Sequence, residues 1–250
     1  MKSVIHKTKE FLFETRKQFF LNRNRIKKDI SVDLGFRKLF FSQTFSNNKV
    51  FIEHLLSPHT GINVAVYVQS PQILIAQSED RLVLDASVCY RLDLGKFQPK
   101  FVENNDVIIR KINTDDIEGV NKVYAEYGMY TIDEKTVINN THEGAVTYFV
   151  AENKGVIAGI VIGVDHARLF NSPEKGSSLW GLAVVKSNFG KGIGRSLINH
   201  IIEYYQTKGL SYIDLYVDYN NKRAISLYIK LGFRKIPRFY MTPKTDAAQH

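Results

Sequence analysis

At 250 residues the chain is long enough for one large domain or two small ones, and 44% hydrophobic against 24% charged residues is the composition of a packed globular protein. A single cysteine, Cys89, excludes an intramolecular disulfide framework and any cysteine-rich zinc site, so a reduced, cytoplasmic setting without bound metal is expected. The net charge of +9 is concentrated at the start, where Lys2, Lys7, Lys9, Arg16, Lys17, Arg23, Arg25, Lys27 and Lys28 face Glu10, Glu14 and Asp29 within residues 1–30.

Those thirty residues read as a basic helical segment. Their apolar positions are broken by Lys, Glu and Arg, and no window of the chain approaches the roughly 18 apolar residues of a membrane span, so neither a signal peptide nor a membrane helix is expected. Phe11, Leu12, Phe19 and Phe20 can dock such a helix on the protein body. The functional alternative is a basic surface for nucleic acid, anionic lipid or an acidic partner.

Residues 31–100 have the texture of a small α/β lobe. "RKLFFSQTF" reads as a strand, "NNKVFIEHLLS" as a short helix opening on an Asn cap, and "INVAVYVQS" and "QILIAQS" as strands joined around Ser70-Pro71. "RLVLDASVCYRLDL" supplies one or two more strands. "GKFQPKFVENND", with Gly95 and Pro99, reads as a linker to a second unit over residues 107–243.

That unit opens with the strand "DVIIRKI" and a helix after Thr114, "DDIEGVNKVYAEYG", with Ile117, Val120, Tyr124 and Tyr127 on one face. Residues 131–145 predict a loop with a short helix, "VTYFVAENKGVIAGIVIGVDH" a hairpin turning at Asn153 to Gly155, and "ARLFNSPEKGS" a loop. "SLWGLAVV" is a nearly continuous apolar strand. After "NFGKGIGRS" a helix places Ile193, Leu197, Ile201 and Tyr205 in one stripe, and then come the strand "YIDLYVD", a helix through "KRAISLYIKLG" capped by Asn221, and a closing strand "FRKIPRFYMT". The order from residue 107 is βαβββαβαβ.

Gly190, Gly192 and Gly194 fall at alternate positions directly before a helix. Such a loop permits φ > 0 and lets backbone N–H groups converge on an anion at the helix's positive end, which points to a phosphate or pyrophosphate. The dinucleotide fingerprint fails on spacing, because its third glycine falls on Arg195 counted from Gly190 and on Leu197 counted from Gly192. A nucleotide-triphosphate loop fails for want of Gly-Lys-Ser/Thr after a four-residue gap.

"LAVVKSNFGKGIGRSLI" followed by "NKRAISLYIKLGFRK" resembles the acyl-CoA loop and last helix of the GNAT superfamily of N-acetyltransferases. The resemblance spans about residues 107 to 240. It implies an α/β (α+β) fold with a mixed sheet and flanking helices, and acetyl-CoA as co-substrate. The pyrophosphate would rest on the amides of Gly190, Lys191, Gly192, Ile193, Gly194 and Arg195, and the pantetheine arm would lie along Leu182, Ala183 and Val184, where this strand splays from Tyr212–Asp218. Tyr228 matches the superfamily's acid for the departing thiolate, and Asn221 a residue near the cofactor arm. One position departs from the pattern: Phe189 stands where Arg or Gln is common. "SLWGLAVV" carries no ionisable group, so Asp165, His166 and Glu174 are the candidate bases, with water-mediated deprotonation as their competitor.

"GVDH" and "PEKGSSLW", with the upstream "LFFSQTF" and "VAVYVQSPQILIA", resemble the acetyltransferase half of N-acetylglutaminylglutamine synthetases, enzymes of osmoprotectant dipeptide synthesis. This implies transfer to the α-amine of glutamine or a related small amino acid or peptide, with Ser178, Trp180 and Glu174 on the acceptor side. The residues end at His250 without that family's ATP-grasp-like ligase half, so a separate ligase is the expected partner. Residues 31–100 repeat the order of strand, helix and paired strands without a glycine ladder, the pattern of a degenerate GNAT-like lobe that walls the acceptor pocket or mediates homodimerisation. Two alternatives stand beside this reading: a non-catalytic acyl-CoA-binding module whose basic helix engages nucleic acid or protein, and an enzyme acting on a protein amine or an aminoglycoside-like compound. Nucleic acid is the less expected partner.

Overall fold

The computed structural model describes residues 25–58, 62–98 and 107–244. The expected basic segment up to residue 24 and most of the expected linker lie outside the described residues. In chain order the elements are β1 (Ser31–Asp33), β2 (Arg37–Phe41), α1 (Asn48–Leu56), β3 (Ile62–Val68), α2 (Pro71–Gln77), β4 (Leu82–Leu84), β5 (Ser87–Asp93), β6 (Ile108–Lys111), α3 (Ile117–Ala125), α4 (Glu134–Glu143), β7 (Val146–Asn153), β8 (Val156–Asp165), α5 (His166–Phe170), β9 (Gly176–Val184), α6 (Ile193–Thr207), β10 (Tyr212–Asp218), α7 (Lys222–Lys230), β11 (Arg234–Lys235) and β12 (Phe239–Pro243).

Local chemistry sets most boundaries. Asn47 Oδ1 accepts from Val50 N at 3.0 Å and starts α1. A reciprocal box between Asn113 and Asp116 opens the turn leading into α3, so the cap is Asn113 rather than Thr114. The segment "QILIAQ" is helix α2 and not the expected strand. Pro71 occupies its first turn, where the missing N–H costs nothing, and Pro71 and Leu74 bury one face at helical spacing. The expected loop at 167–177 is helical at its start, where α5 runs on from His166, and joins β9 from Gly176; the expected closing strand is split by Pro237 into β11 and β12.

The strands form two sheets with orders β1-β2-β3-β12-β4 and β11-β5-β10-β9-β8-β7-β6. Each takes a strand from the other half of the chain. β5 leaves the N-terminal half to pair antiparallel with β10, from Tyr212↔Asp93 to Asp218↔Ser87. β12 leaves the C-terminal half to sit between β3 and β4. The two sheets therefore share a core: Leu39, Phe41, Val64 and Val66 of the small sheet pack with Tyr148, Ile160, Ile162 and Trp180 of the large one and with Val120, Val123 and Tyr124 of α3.

The opposite face of the large sheet is covered by α6, whose Ile193, Leu197, Ile198, Ile201, Ile202 and Tyr205 are buried. Close approach there requires Gly163, since a Cβ at this position would lie 2.4 Å from Ile201 Cδ1. α1 and α2 cover the outer face of the small sheet. Among the described residues no helix is long and apolar enough to cross a membrane.

Candidate active site

β9 and β10 run parallel but pair only from Tyr212↔Gly176 to Leu215↔Leu179. Beyond that point β9 continues to Val184 and β10 to Asp218 without pairing to each other, so the sheet opens into a V. The cause is a bulge. Pairing of β9 with β8 shifts between Ile162↔Trp180 and Ile160↔Ala183, and Gly181 in that interval has φ +55. Tyr124 Oη of α3 donates to the Gly181 carbonyl at 3.0 Å and pins the bulge. A Cβ on residue 181 would lie 2.6 Å from that hydroxyl.

The V holds a cavity of about 250 Å³. β9 lines it with Leu179, Trp180, Gly181 and Leu182; β10 with Tyr216, Val217 and Asp218; and the α7 region with Asn221, Ala224 and Tyr228. Tyr228 is 5% exposed, and burial pushes its phenol pKa upward, so it carries its proton throughout the neutral range. Asn221 combines two roles expected of it: it lines the cavity, and its Oδ1 accepts from Ala224 N at 3.0 Å to cap α7.

At the end of β9 the chain passes through a short turn at Lys186–Asn188 and reaches the glycine loop. Gly190 and Gly192 have φ +83 and +81, and a Cβ at either would meet nothing within 4 Å. Backbone conformation, not crowding, demands glycine at both, and both face open space. The first bond of α6 runs from Ser196 N to Gly192 O at 3.0 Å, which leaves the amides of Ile193, Gly194 and Arg195 without an acceptor inside the helix. Phe189 is 41% exposed, and the Arg223 guanidinium of α7 lies 3.6 Å from its ring centroid. The cation missing from position 189 is thus supplied beside the loop by another element. Oriented amides, an open cradle and nearby positive charge fit a pyrophosphate, and the unpaired edges of the V fit an amide-bearing arm.

A family model described as "Acetyltransferase (GNAT) family" matches residues 110–233, the stretch that builds the V, the glycine loop and α7. Residues 110–233 belong to the GNAT acetyltransferase family. The acetyltransferase is 28% identical over 145 residues to the ribosomal protein bS18-alanine N-acetyltransferase of Escherichia coli K12, covering 56% of this chain and 90% of that protein. A 46-residue stretch is 54% identical to mycothiol acetyltransferase of Renibacterium salmoninarum, spanning 18% of this chain and 14% of that protein. In fold it is similar to a putative GNAT acetyltransferase from Novosphingobium aromaticivorans, with TM-score 0.53, 15% identity, and coverage of 84% of this chain and 85% of that one. A tandem GNAT protein of the clavulanic acid pathway gives TM-score 0.51 at 12% identity, over 85% of this chain and 76% of that one.

Of the residues expected on the acceptor side, the acetyltransferase brings only Trp180 to the cavity lining. Ser178 is buried beneath it, with Oγ accepting from Trp180 Nε1 at 2.8 Å and 2.9 Å from His166 Nε2. His166 is 1% exposed among Phe41, Tyr67 and Phe170, and burial lowers its pKa to about 3, so it is neutral. Asp165 caps α5, accepting from Arg168 N at 3.0 Å. Glu174 accepts from Tyr212 Oη at 2.9 Å, at the far end of β10. None of the three candidate bases lines the cavity; the carboxylate that does is Asp218.

Phe36 from the β1–β2 turn, Arg37 and Tyr240 from the small sheet, and Ser87 and Met129 close the remaining wall. Arg37 Nη1 donates to Tyr240 Oη at 2.6 Å, and its Nε is buried without a partner among the described residues. No hint of this group exists in the local sequence, because Arg37 belongs to the other lobe. Asp218 was within reach of a parity argument: Tyr212, Asp214, Tyr216 and Asp218 alternate along β10 with the apolar Ile213, Leu215 and Val217 that face α6. Among the described residues no group of three or more His, Cys, Asp or Glu side chains is placed to hold a metal ion.

Proposed function

We propose that the acetyltransferase acts on the α-amine of a small amino acid or short peptide of the glutamine type, by direct attack in a ternary complex. Arg37 carries this reading. It lines the reaction cavity with an unpartnered buried Nε, and no described carboxylate lies within ion-pair distance of it. A partly desolvated guanidinium without a counter-charge is unfavourable, and a ligand carboxylate would relieve it. Asp218 supplies the opposite charge, so the cavity offers one group to each end of a zwitterion.

Acetyl-CoA, when bound, supplies the acyl group as a thioester. The amides of residues 190–195 would hold its pyrophosphate, with Lys191 and Arg195 adding charge, and Leu182, Ala183 and Val184 would pair with its arm. Asp218, directly or through water, receives the proton that the ammonium loses before attack. The C–N bond forms as the C–S bond breaks, and Tyr228 holds the proton that the departing sulfur requires.

The small sheet is read as a degenerate GNAT-like lobe whose task is to wall the acceptor pocket, a reading supported by the fold likeness to a tandem GNAT protein. The rest follows the sequence resemblance: a cytoplasmic step of osmoprotectant dipeptide synthesis, with a separate ATP-grasp ligase as partner. The relative that acetylates a ribosomal protein favours a second reading, a protein N-terminal amine. A cavity of about 250 Å³ closed by Phe36, Arg37 and Tyr240 favours the smaller acceptor.

The test is CoA release from acetyl-CoA with a panel of glutamine, glutaminylglutamine, other amino acids and an alanine-initiated peptide. Rapid release with glutamine-type acceptors is expected. Turnover confined to the peptide would transfer the assignment to the protein amine, and tight acetyl-CoA binding without turnover on any amine would leave only a binding module.

A further inference from the structure

A larger cavity, about 700 Å³, is lined by residues from both lobes, among them Tyr67, Arg91, Tyr212 and Arg238. It reaches Tyr212, the first residue of β10, whereas the reaction cavity reaches Asp218, the last. Its volume is within the range of small-molecule sites.

The charges on its floor do not cancel. Arg91 is held fork to fork by Asp214, at 2.7 Å from Nε to Oδ1 and 2.8 Å from Nη2 to Oδ2, and its guanidinium stacks 3.5 Å from the Tyr212 ring centroid. That pair is neutral. Arg238 lines the same cavity, its charge is felt by Asp214, and it has no described carboxylate within ion-pair distance. Two guanidinium groups thus stand around one buried carboxylate.

Tyr67 adds an independent observation. It is 5% exposed and lines this cavity, and its buried hydroxyl lies beside the Asp214 carboxylate without a hydrogen bond of normal geometry among the described residues. Its φ of +64 is a strained value for an aromatic residue. The strain coincides with a bulge, since the pairing of β12 with β3 jumps from Phe239↔Val68 to Met241↔Ala65. The result is that Val66 and Tyr67, adjacent in sequence, both pack into the core between the sheets, which an ordinary strand forbids. Bulges and left-handed aromatic residues persist where a side chain must be aimed, and this one holds a phenol beside the Asp214–Arg91 pair on the cavity floor.

We propose that this second cavity binds the carboxylate of an amino acid or short peptide, held by Arg238 and the Tyr67 hydroxyl, with Glu174 at the rim meeting the ammonium group. The site is separate from the acyl-transfer gap yet touches it. Tyr67 N donates to Tyr216 Oη at 3.1 Å, and the Tyr216 ring stacks on Trp180 at 5.7 Å, both of which line the reaction cavity. Trp180 is the chain's one tryptophan and therefore reports on this contact.

Equilibrium dialysis of the full chain without acetyl-CoA, using glutamine, glutamate and glutaminylglutamine, tests the idea, with glutaminamide as the carboxylate-free control and inorganic phosphate as a competing anion. The expectation is a saturable site for at least one of the carboxylates, accompanied by a change in Trp180 fluorescence, that survives Arg37→Gln. Its Kd should rise about tenfold or more in Arg238→Gln and also rise in Tyr67→Phe. Arg238 is half-buried with no ion pair among the described residues, so its replacement should leave the fold intact, and unchanged circular dichroism checks this. No saturable binding, binding abolished by Arg37→Gln but indifferent to Arg238→Gln, equal binding of glutaminamide, or competition by phosphate as strong as by carboxylates would each overturn the proposal. The measurement does not involve turnover, so it stands apart from the outcome of the acetylation assay.

Discussion

Replacing Arg37 with glutamine removes the cation among the described residues lining the cavity in the V while keeping a shorter, neutral hydrogen-bond donor. The guanidinium lies between two rings, 5.1 Å from the Phe36 centroid and 5.9 Å from that of Tyr240, so little room exists for another cation to take its place. A hydrogen bond to a charged group contributes about 1.5–3 kcal/mol. At about 1.4 kcal/mol per factor of ten, kcat/KM for a carboxylate acceptor should fall roughly 10- to 150-fold. The cost to folding is small, about 1 kcal/mol for the bond to Tyr240 Oη. Steady-state acetylation of glutamine and glutaminamide separates the effects: the wild type should prefer glutamine, and the variant should lose that preference mainly through KM, with acetyl-CoA affinity unchanged. Equal losses for acid and amide would show that Arg37 serves packing alone, and undiminished use of glutamine would remove the carboxylate from the argument altogether.

Tyr228→Phe should lower kcat about 100-fold or more while acetyl-CoA still binds, because the lost group is a proton donor; stopped-flow CoA release checks this. Gly192→Val should weaken acetyl-CoA binding strongly with a stability loss of about 1–2 kcal/mol, since the position needs φ +81 but borders only open space; calorimetric titration and thermal melts read the two effects separately. Asp214→Asn should destabilise by about 3 kcal/mol in denaturant melts, because Asp214 is fully buried against Arg91, which keeps partial access to water and so softens the loss. His166, neutral when folded with a pKa of about 3, charges more readily in the unfolded chain. Stability should therefore fall as pH drops from about 6.5 toward 3, and His166→Asn should flatten that part of the pH profile relative to the wild type.

Much of the fold is legible residue by residue because its causes are local. The stripe of Ile193, Leu197, Ile201 and Tyr205 announces α6, Asn221 announces the start of α7, and glycines 190 and 192 announce a loop that needs φ > 0. Each signal lies within one turn or a few residues, the range over which backbone geometry and side-chain period act. The misread segment "QILIAQ" fails for the same reason: a short apolar run fits either period, and only burial of Pro71 and Leu74 against the small sheet decides.

What the sequence by itself determined is the succession of the longer strands and helices after residue 107, the glycine loop before α6 and the helix that carries Tyr228, whereas α5 and the split of the last strand escaped it. The tertiary structure alone decided which elements face each other. It sends β5 and β12 into opposite sheets, opens β9 from β10 at a bulge pinned by Tyr124, withdraws His166 into the core, and joins Arg37 to Tyr240 across 203 positions of chain. Those pairings minimise exposed apolar surface over the whole chain at once, and no window of sequence contains both partners.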